Sequence, residues 1–339
     1  MAYTTIKKPS DYFNTVTYVA NQTDNRQITV GFQPDFTWLR DRDQAVSHQL
    51  YDGVRGALKA LASNNANAES TETDTLKSFN STGFTLGTGW GNQTTGDDYV
   101  AWNWLGANGT ASNTDGSITS TVSANTTSGF SIVSYSGDGG SSSTVGHGLG
   151  AIPKMVIIKC KTTTTSWQNW GDGYTRLSLN NTDGDLGNYG MTRGASTVTL
   201  PNGINDWNGS GQDYIMYCWS EVKGFSKFGS YTGNGSASDG TFVYTGFKPA
   251  FVMIKRYNAS GHDWILIDNK RVGYNADNNT LLPNSSSAED TGNRIDILSN
   301  GFKNYNANGS ENENGGTYIY MAFAESPLVG TNNTPATAR

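Results

Sequence analysis

Short apolar runs that return three times along the chain dominate its pattern of hydrophobic and polar positions. In each copy a glycine turn and a proline precede an apolar run that ends in a basic residue, at residues 31–40, 150–159 and 246–256. Proline cannot donate to a sheet ladder, so it suits the first residue of a strand. The run behind it is continuous, which predicts a strand that is covered on both faces.

A second landmark closes each copy with an aromatic run, at residues 96–104, 211–221 and 316–325. The proline and the closing tyrosine are 65, 61 and 69 residues apart in the three copies. A third landmark, a Ser-Tyr or Thr-Tyr step, opens each copy at residues 17–21, 134–138 and 230–234. Near-equal spacing between such landmarks indicates an internal repeat. We expect the Pro-led strand and the closing strand to pair near the centre of each unit.

Two further motifs are shared by the outer copies only. Residues 76–84 resemble residues 295–302. The sequence from Asp52 to Gly56 likewise resembles that from Asp268 to Gly273, and both place an arginine three residues after the aspartate. The middle copy has a different sequence at the positions that correspond to these motifs.

The pattern predicts an all-β protein of three related β-sandwich or jelly-roll-like units in tandem. Residues 44–62 fit either a short helix or a strand, because Asp52 and Gly53 interrupt the amphipathic pattern. Our division comprises an N-terminal docking segment (1–11), β repeat 1 (12–106), a linker or loop rich in Gly, Ser, Thr and Asn (107–128), β repeat 2 (129–222), β repeat 3 (223–326) and a C-terminal tail (327–339).

Composition narrows the function. Charged residues make up 15% of the chain and aromatic residues 12%, so it is a folded protein with a polar, mostly uncharged surface. The net charge of −6 argues against nucleic-acid binding. No run of about 18 apolar residues predicts a membrane span, and the first residues lack the apolar core of a signal peptide.

The sequences of the landmarks resemble those of a family of uncharacterised structural proteins of marine bacteriophages. The resemblance rests on the opening AYTTIKKPSDYFNTVTY, on HGLGAIPKMVIIK and on FVYTGFKPAFVMIKR, and it covers almost the whole chain. It implies a virion protein, most simply a tail fibre or fibre-like appendage for attachment to host-surface glycans or a protein receptor. Such a protein would be assembled in the host cytoplasm and released by lysis. It would contact other virion proteins and form a homotrimer.

Three alternatives stay open at this point. The chain could be a capsid decoration or head-fibre protein, or a glycan depolymerase with two acids from distant strands. A secreted lectin-like module is a third, which the N-terminus disfavours. We expect no enzyme and no cofactor, since neither a nucleophile elbow nor a zinc-binding helix motif occurs.

Metal-ligating and nucleophilic residues are sparse. His147 and His262 lie in apparent turns, and Cys160 and Cys218 are either two buried thiols or a cross-strand disulfide. The loop at residues 181–185 spaces oxygen side chains as calcium loops do, but it also fits an Asx-rich turn, and we expect no metal site.

Aromatic residues among polar ones are the candidate binding site. We expect the candidate glycan-binding rings to be Trp167, Trp170, Tyr174 and Trp207, which lie among Thr, Ser, Asn and Gly. An exposed ring can stack on a sugar face while nearby amides bind its hydroxyls. The alternative is that these rings pack against a sheet or a neighbouring subunit.

Overall fold

A computed structural model describes residues 4–271, 275, 278–292 and 294–329. Over these residues the chain forms 26 strands and one 3-10 turn, Pro9–Asp11. No helix within the described ranges has the length and apolar character that a bilayer crossing requires.

The first unit has two sheets and a small hairpin. The large sheet has the order β1-β9-β3-β4, the small sheet β2-β8-β7, and β5 pairs with β6. Residues 44–62 contain β4 and β5, so the strand alternative is correct there. The strands are β1 (Phe13–Val19), β2 (Arg26–Thr29), β3 (Phe36–Asp41), β4 (Gln49–Asp52), β5 (Lys59–Ala60), β6 (Ser70–Thr71), β7 (Leu76–Asn80), β8 (Gly83–Leu86) and β9 (Asp98–Trp104).

The second unit repeats this plan and extends it. Its large sheet has the order β10-β11-β12-β19-β14-β15-β16 and its small sheet β13-β18-β17. The strands are β10 (Ala111–Asn113), β11 (Ser120–Asn125), β12 (Phe130–Ser136), β13 (Ser143–Gly146), β14 (Met155–Cys160), β15 (Gln168–Gly171), β16 (Tyr174–Ser178), β17 (Thr192–Arg193), β18 (Thr197–Leu200) and β19 (Asp213–Trp219).

Residues 107–128 are therefore not the linker that their composition predicts. They form β10 and β11, which lengthen the large sheet of the second unit. Val122 is buried in the core of that unit, and Ile118 bridges to Val145 on the small sheet. Two well-placed apolar residues thus suffice to order a stretch that is otherwise Gly, Ser, Thr and Asn.

The third unit has the same two sheets. The large sheet has the order β20-β26-β22-β23 and the small sheet β21-β25-β24. The strands are β20 (Ser226–Thr232), β21 (Phe242–Tyr244), β22 (Phe247–Arg256), β23 (Trp264–Asp268), β24 (Ile295–Leu298), β25 (Gly301–Asn304) and β26 (Thr317–Pro327).

Each large sheet places the closing strand between the opening strand and the Pro-led strand. The pairing that we expected is confirmed, because Phe36, Met155 and Phe251 lie opposite Trp104, Trp219 and Phe323 in turn. The opening tyrosines also have one role, since each stacks on the closing tyrosine, with ring centroids 5.4, 5.0 and 5.0 Å apart. The chain is an all-β protein of three related units in tandem.

The three large sheets share one core. Their inner faces supply a single hydrophobic cluster that includes Trp104, Trp219 and Phe323, and the Trp104 ring lies 6.3 Å from Trp219 and 5.6 Å from Phe323. The outer face of each large sheet packs on its small sheet in a separate cluster. Every large sheet is therefore buried on both faces, which explains the continuous apolar runs.

Neighbouring units are also joined by hydrogen bonds at corresponding positions. Asn64, Asn180 and Asn284 cap the backbone N–H of His48, Trp167 and Trp264 in their own units. One or two residues before each asparagine, the loop contacts another unit. The indole Nε1 of Trp167 donates to the carbonyl of Ala62 at 2.8 Å, and that of Trp264 to Ser178 at 2.9 Å. Ser63 donates to Pro283 at 2.6 Å and closes the ring between the first and third units.

The basic residue that ends each Pro-led run is buried and reaches across to another unit. Arg40, Lys159 and Lys255 are each 0% exposed. Each donates to a loop carbonyl two residues after the capping asparagine: Arg40 to Ser286 at 2.9 Å, Lys159 to Ala66 at 2.9 Å and Lys255 to Thr182 at 3.3 Å. The three contacts run in one direction around the shared core, so the units interlock cyclically.

The shared Asp-x-x-Arg motif of the outer copies also crosses between units. Asp52 accepts from the Tyr217 hydroxyl at 2.7 Å and Asp268 from the Trp102 indole at 2.9 Å. Tyr217 and Trp102 occupy the same register position on their closing strands, where the third unit has Met321. An aspartate at the corresponding position of the second unit would face Met321, and methionine has no N–H or O–H to donate to it. This gives a physical reason why the middle copy lacks the aspartate.

The remaining features are the two termini of the chain and its two cysteines. Ile6 lies in the shared core and Pro9 is buried, so the segment that we expected to dock elsewhere packs on its own chain from residue 4 onward. Of the predicted tail, residues 330–339 lie outside the described residues. Cys160 and Cys218 are buried free thiols.

Candidate functional site: a polar groove at Trp90

A polar groove lies on the first unit, between the β5–β6 hairpin and the loop that follows β8. Its main compartment has a volume of about 510 Å³, within the range of small-ligand sites. Polar side chains predominate in its wall. They are Ser47, Gln49, Asn65, Asn67, Ser70, Thr71, Glu72, Thr73, Asp74, Thr75 and Gln93, with Trp90 as the one aromatic ring.

Trp90 lies where this compartment meets a second one. The second compartment has a volume of about 320 Å³ and shares Trp90 and Gln93 with the first. The Trp90 ring is partly buried, and its indole Nε1 has no hydrogen-bond partner in the described part of the protein. Because this atom is buried, a ligand in the groove would contact the exposed part of the ring and not the N–H.

Glycines press the Trp90 loop against the groove wall. A Cβ on Gly89 would lie 2.6 Å from the Asp74 carbonyl oxygen. Gly91 has a φ of +95°, and a Cβ there would lie 2.6 Å from a Leu39 methyl group. Any other residue would push the loop outward or strain it. The Gly-Trp-Gly sequence therefore sets the position of the ring.

Asn92 fixes the base of the same loop. Its side chain is fully buried, accepts from the N–H of Asn21 at 3.0 Å and donates to the carbonyls of Thr23 and Gly87 at 3.0 and 2.9 Å. Tyr18 adds a bond from its hydroxyl to the Gly91 carbonyl at 2.8 Å. The loop is thus held from both ends, and Trp90 is presented by a rigid support.

Several polar groups in the groove are available to a ligand. The Gln49 amide oxygen accepts from the Tyr51 hydroxyl, which leaves its amide nitrogen without a partner among the described residues. The Glu72 carboxylate accepts no hydrogen bond from the same part of the chain. In contrast, Asp74 is occupied, because it accepts from the N–H and the hydroxyl of Thr88.

The second compartment is lined by a buried acid and two rings. Burial raises the pKa of Asp41, and this is opposed by hydrogen bonds from Tyr99 and from the N–H groups of Gln44 and Asp43. Burial, with the Asp41 charge beside it, raises the pKa of the Tyr99 hydroxyl. Asp41 thus serves mainly to hold the turn that begins the loop after β3.

The groove offers hydrogen-bond donors, acceptors and one ring face. Its chemistry suits a hydroxyl-rich ligand that stacks on Trp90. No group of three or more His, Cys, Asp or Glu side chains in the described ranges is placed to hold a metal ion. At residues 181–185, Asn181 caps the N–H of Asp183 and Asp185 accepts from Arg176 and Gly187, which makes an Asx-rich turn.

The four aromatic residues that the sequence analysis predicted to bind glycans are all buried. Trp167 and Trp207 are 0% exposed, Trp170 3% and Tyr174 8%. Their expected exposure is wrong because Trp170 and Tyr174 lie on β15 and β16 of the large sheet, and Trp167 and Trp207 pack within hydrophobic clusters of the core. Trp207 meets Trp170 edge to face at 5.5 Å, and its Nε1 donates to Asn202. These rings are core residues of the second unit and the shared core.

The histidines are also structural. His147 is fully buried, and its Nδ1 accepts from the N–H of Leu149 at 3.2 Å, which is a turn-capping role. Burial lowers the pKa of His48 well below its ordinary value, and its Nδ1 accepts from Trp38. His262 lies beside Arg256.

Trp90 was not singled out from the sequence. Its signal is a tryptophan in the stretch Gly87-Thr88-Gly89-Trp90-Gly91, where no apolar run continues on either side. A large ring between glycines has no sheet neighbours to cover it, which distinguishes it from the tryptophans of the closing strands.

Comparison with known proteins places the chain in a family without giving it a function. Neither the curated proteins nor the solved structures contain a match. One family model matches residues 8–327, which is nearly the whole chain and includes all three units. The chain belongs to the family described as a domain of unknown function, DUF7483.

Proposed function

We propose that this chain is a structural protein of a bacteriophage particle, a tail fibre or fibre-like appendage that binds host-surface glycans in the Trp90 groove. The single observation that carries the glycan-binding part is the partly exposed Trp90 ring, which lies between two polar compartments. The viral part is supported by the resemblance of the landmark sequences to phage structural proteins.

The energetics of the groove favour binding of a sugar. A pyranose ring has an apolar face that stacks on an indole, and its hydroxyls both donate and accept. Gln49 and Glu72 offer a free donor and a free acceptor on one wall. Because the Trp90 loop is already held by Asn92, little conformational entropy is lost on binding.

The rest of the fold suits an appendage. Three units that share a core and interlock through Arg40, Lys159 and Lys255 behave as one rigid body. A rigid support is what a surface-binding protein needs to present one groove. A homotrimer remains a prediction, which light scattering of the purified chain would check.

The test of binding is a glycan panel with two matched variants. Wild-type protein is expected to bind at least one oligosaccharide, and Trp90→Ala to weaken that binding tenfold or more, about 1.4 kcal/mol. Tyr244→Ala is the control, because Tyr244 is an exposed ring on the third unit. Equal binding by wild type and Trp90→Ala would refute the site. Release of shortened oligosaccharide would favour the depolymerase alternative.

The location in the particle needs a separate experiment. Antibodies against the purified chain are expected to label tails in electron micrographs of intact phage. Label on the capsid at symmetric positions would replace the tail-fibre assignment with a capsid decoration or head fibre. Absence of label from every particle would remove the viral assignment altogether.

A further inference from the structure

The charge of the Trp90 groove limits the kind of saccharide that it can bind. The side chains that line its two compartments include three acids, Glu72, Asp74 and Asp41, and no lysine or arginine. The only charge that the walls present is therefore negative. This contrasts with sites for sulfated or uronate sugars, where arginine or lysine pairs with the anion.

Arg40 and Lys77 have partners away from the groove, whereas Lys59 contacts a residue of its wall. Arg40 precedes Asp41 in the chain, but its guanidinium is buried and donates to carbonyls, including that of Ser286. Lys77 pairs with Asp24 at 2.7 Å. Lys59 comes nearest, since its ammonium donates to the Thr71 hydroxyl at the rim at 2.8 Å.

Asp74 and Glu72 differ in what they offer. The two hydrogen bonds from Thr88 lower the pKa of Asp74, so this wall stays negatively charged at neutral pH. The Glu72 carboxylate has no hydrogen-bond partner among the described residues and is free to accept from a hydroxyl or an amine. An anionic sugar would be repelled by both, whereas a neutral sugar would gain an acceptor.

We infer that the ligand of the Trp90 groove is a neutral or amine-bearing saccharide, and that the groove rejects sulfated and uronate-containing glycans. This inference rests on the proposed glycan-binding function and adds the charge class of the ligand. Glu72 is the acceptor that would favour an amine, and Asp74 maintains the repulsion.

The experiment compares three classes of oligosaccharide on one printed panel at low salt. The panel holds neutral, amine-bearing and sulfated or uronate oligosaccharides of similar length. We expect the neutral and amine-bearing classes to bind, and the anionic class to bind at least tenfold more weakly. Calorimetry on the strongest ligand of each class then gives the dissociation constants. Raising the salt should narrow the gap, because charge repulsion is screened.

A charge-neutralising variant isolates the cause. Glu72→Gln keeps the shape of the side chain. It is expected to weaken the binding of amine-bearing ligands severalfold, to strengthen the binding of anionic ligands and to leave that of neutral ligands nearly unchanged. The control is Asp239→Asn, which removes an exposed acid from the third unit. It should leave all three classes unchanged.

The outcomes separate this inference from the proposed function. Anionic glycans that bind as tightly as neutral ones, in a manner that Trp90→Ala abolishes, would overturn the charge class and keep the site. Unchanged selectivity in Glu72→Gln would overturn the role of that carboxylate. Absence of binding by every class on the panel would overturn both proposals.

Discussion

Lys159 offers a direct test of the interlock between units, because its buried ammonium should make stability depend on pH. Burial lowers the pKa of Lys159 from 10.5 to about 8 in the folded protein. In the unfolded chain the ordinary value applies. Below pH 8 the folded state therefore carries the full cost of a buried charge. As the pH rises from 8 towards 10.5 the proton leaves the folded state first, and the protein becomes more stable.

The size of the effect follows from these two pKa values. Between pH 7 and pH 9 a group of this kind adds about 1.4 kcal/mol to the free energy of unfolding. Cys218 acts in the opposite direction, since burial raises the pKa of its thiol while the unfolded thiol titrates near 8.5. That loss amounts to about 0.8 kcal/mol at pH 9. It is common to wild type and to a lysine variant, so a comparison between them cancels it.

The assay is urea unfolding at pH 7 and pH 9 for three proteins. The gain in stability of Lys159→Met between the two pH values should fall short of the wild-type gain by about 1.4 kcal/mol. Lys77→Met, which removes a surface ammonium paired with Asp24, should match wild type. Equal gains in wild type and Lys159→Met would refute the reasoning. They would mean that the Ala66 and Thr165 carbonyls hold the charge well enough to offset its burial.

Three further predictions test other parts of the structure. Tyr217→Phe removes the hydroxyl that donates to buried Asp52 and should lower the free energy of unfolding by about 1.5–3 kcal/mol in chemical denaturation. Gly91→Ala should weaken glycan binding and lower the melting temperature more than Gly96→Ala does, because both glycines have positive φ but only a Cβ at Gly91 meets a neighbour; equal effects would contradict this. Residues 223–329 expressed alone should lack the dispersed amide NMR spectrum of a fold, since their inner sheet face would be exposed.

Much of the fold was predictable because each landmark contains a strand or a tyrosine ring that contacts another landmark of the same unit. The Pro-led run and the closing run recur at near-equal spacing since they are adjacent strands in all three units. The Ser-Tyr or Thr-Tyr step recurs since its tyrosine stacks on the closing tyrosine. Both signals describe contacts within one unit. They therefore predict the units well and say nothing of how the units meet.

The candidate site was mispredicted because polar neighbours do not show which way a ring points. Trp167 has polar residues before it, but Asn180 caps its backbone N–H and the Ala62 carbonyl accepts from its indole. The same polar residues that suggested a sugar site thus satisfy a buried ring. Trp90 shows the converse, since it stands between two glycines and its ring is only partly buried beside the groove. Only the placement of the β5–β6 hairpin reveals the groove beside it.

The basic residue at the end of each Pro-led run belongs to a landmark of one unit and also contacts another unit. Its recurrence is visible in the sequence, but its partner is a loop carbonyl 73 to 246 residues away in another unit. For Lys159 that partner is Ala66, between Asn65 and Asn67 of the groove wall. The groove of the first unit is thus supported by a cation of the second. A ligand that binds this wall would consequently stabilise the contact between the two units as well as the loop itself, because binding to the folded state alone shifts the unfolding equilibrium.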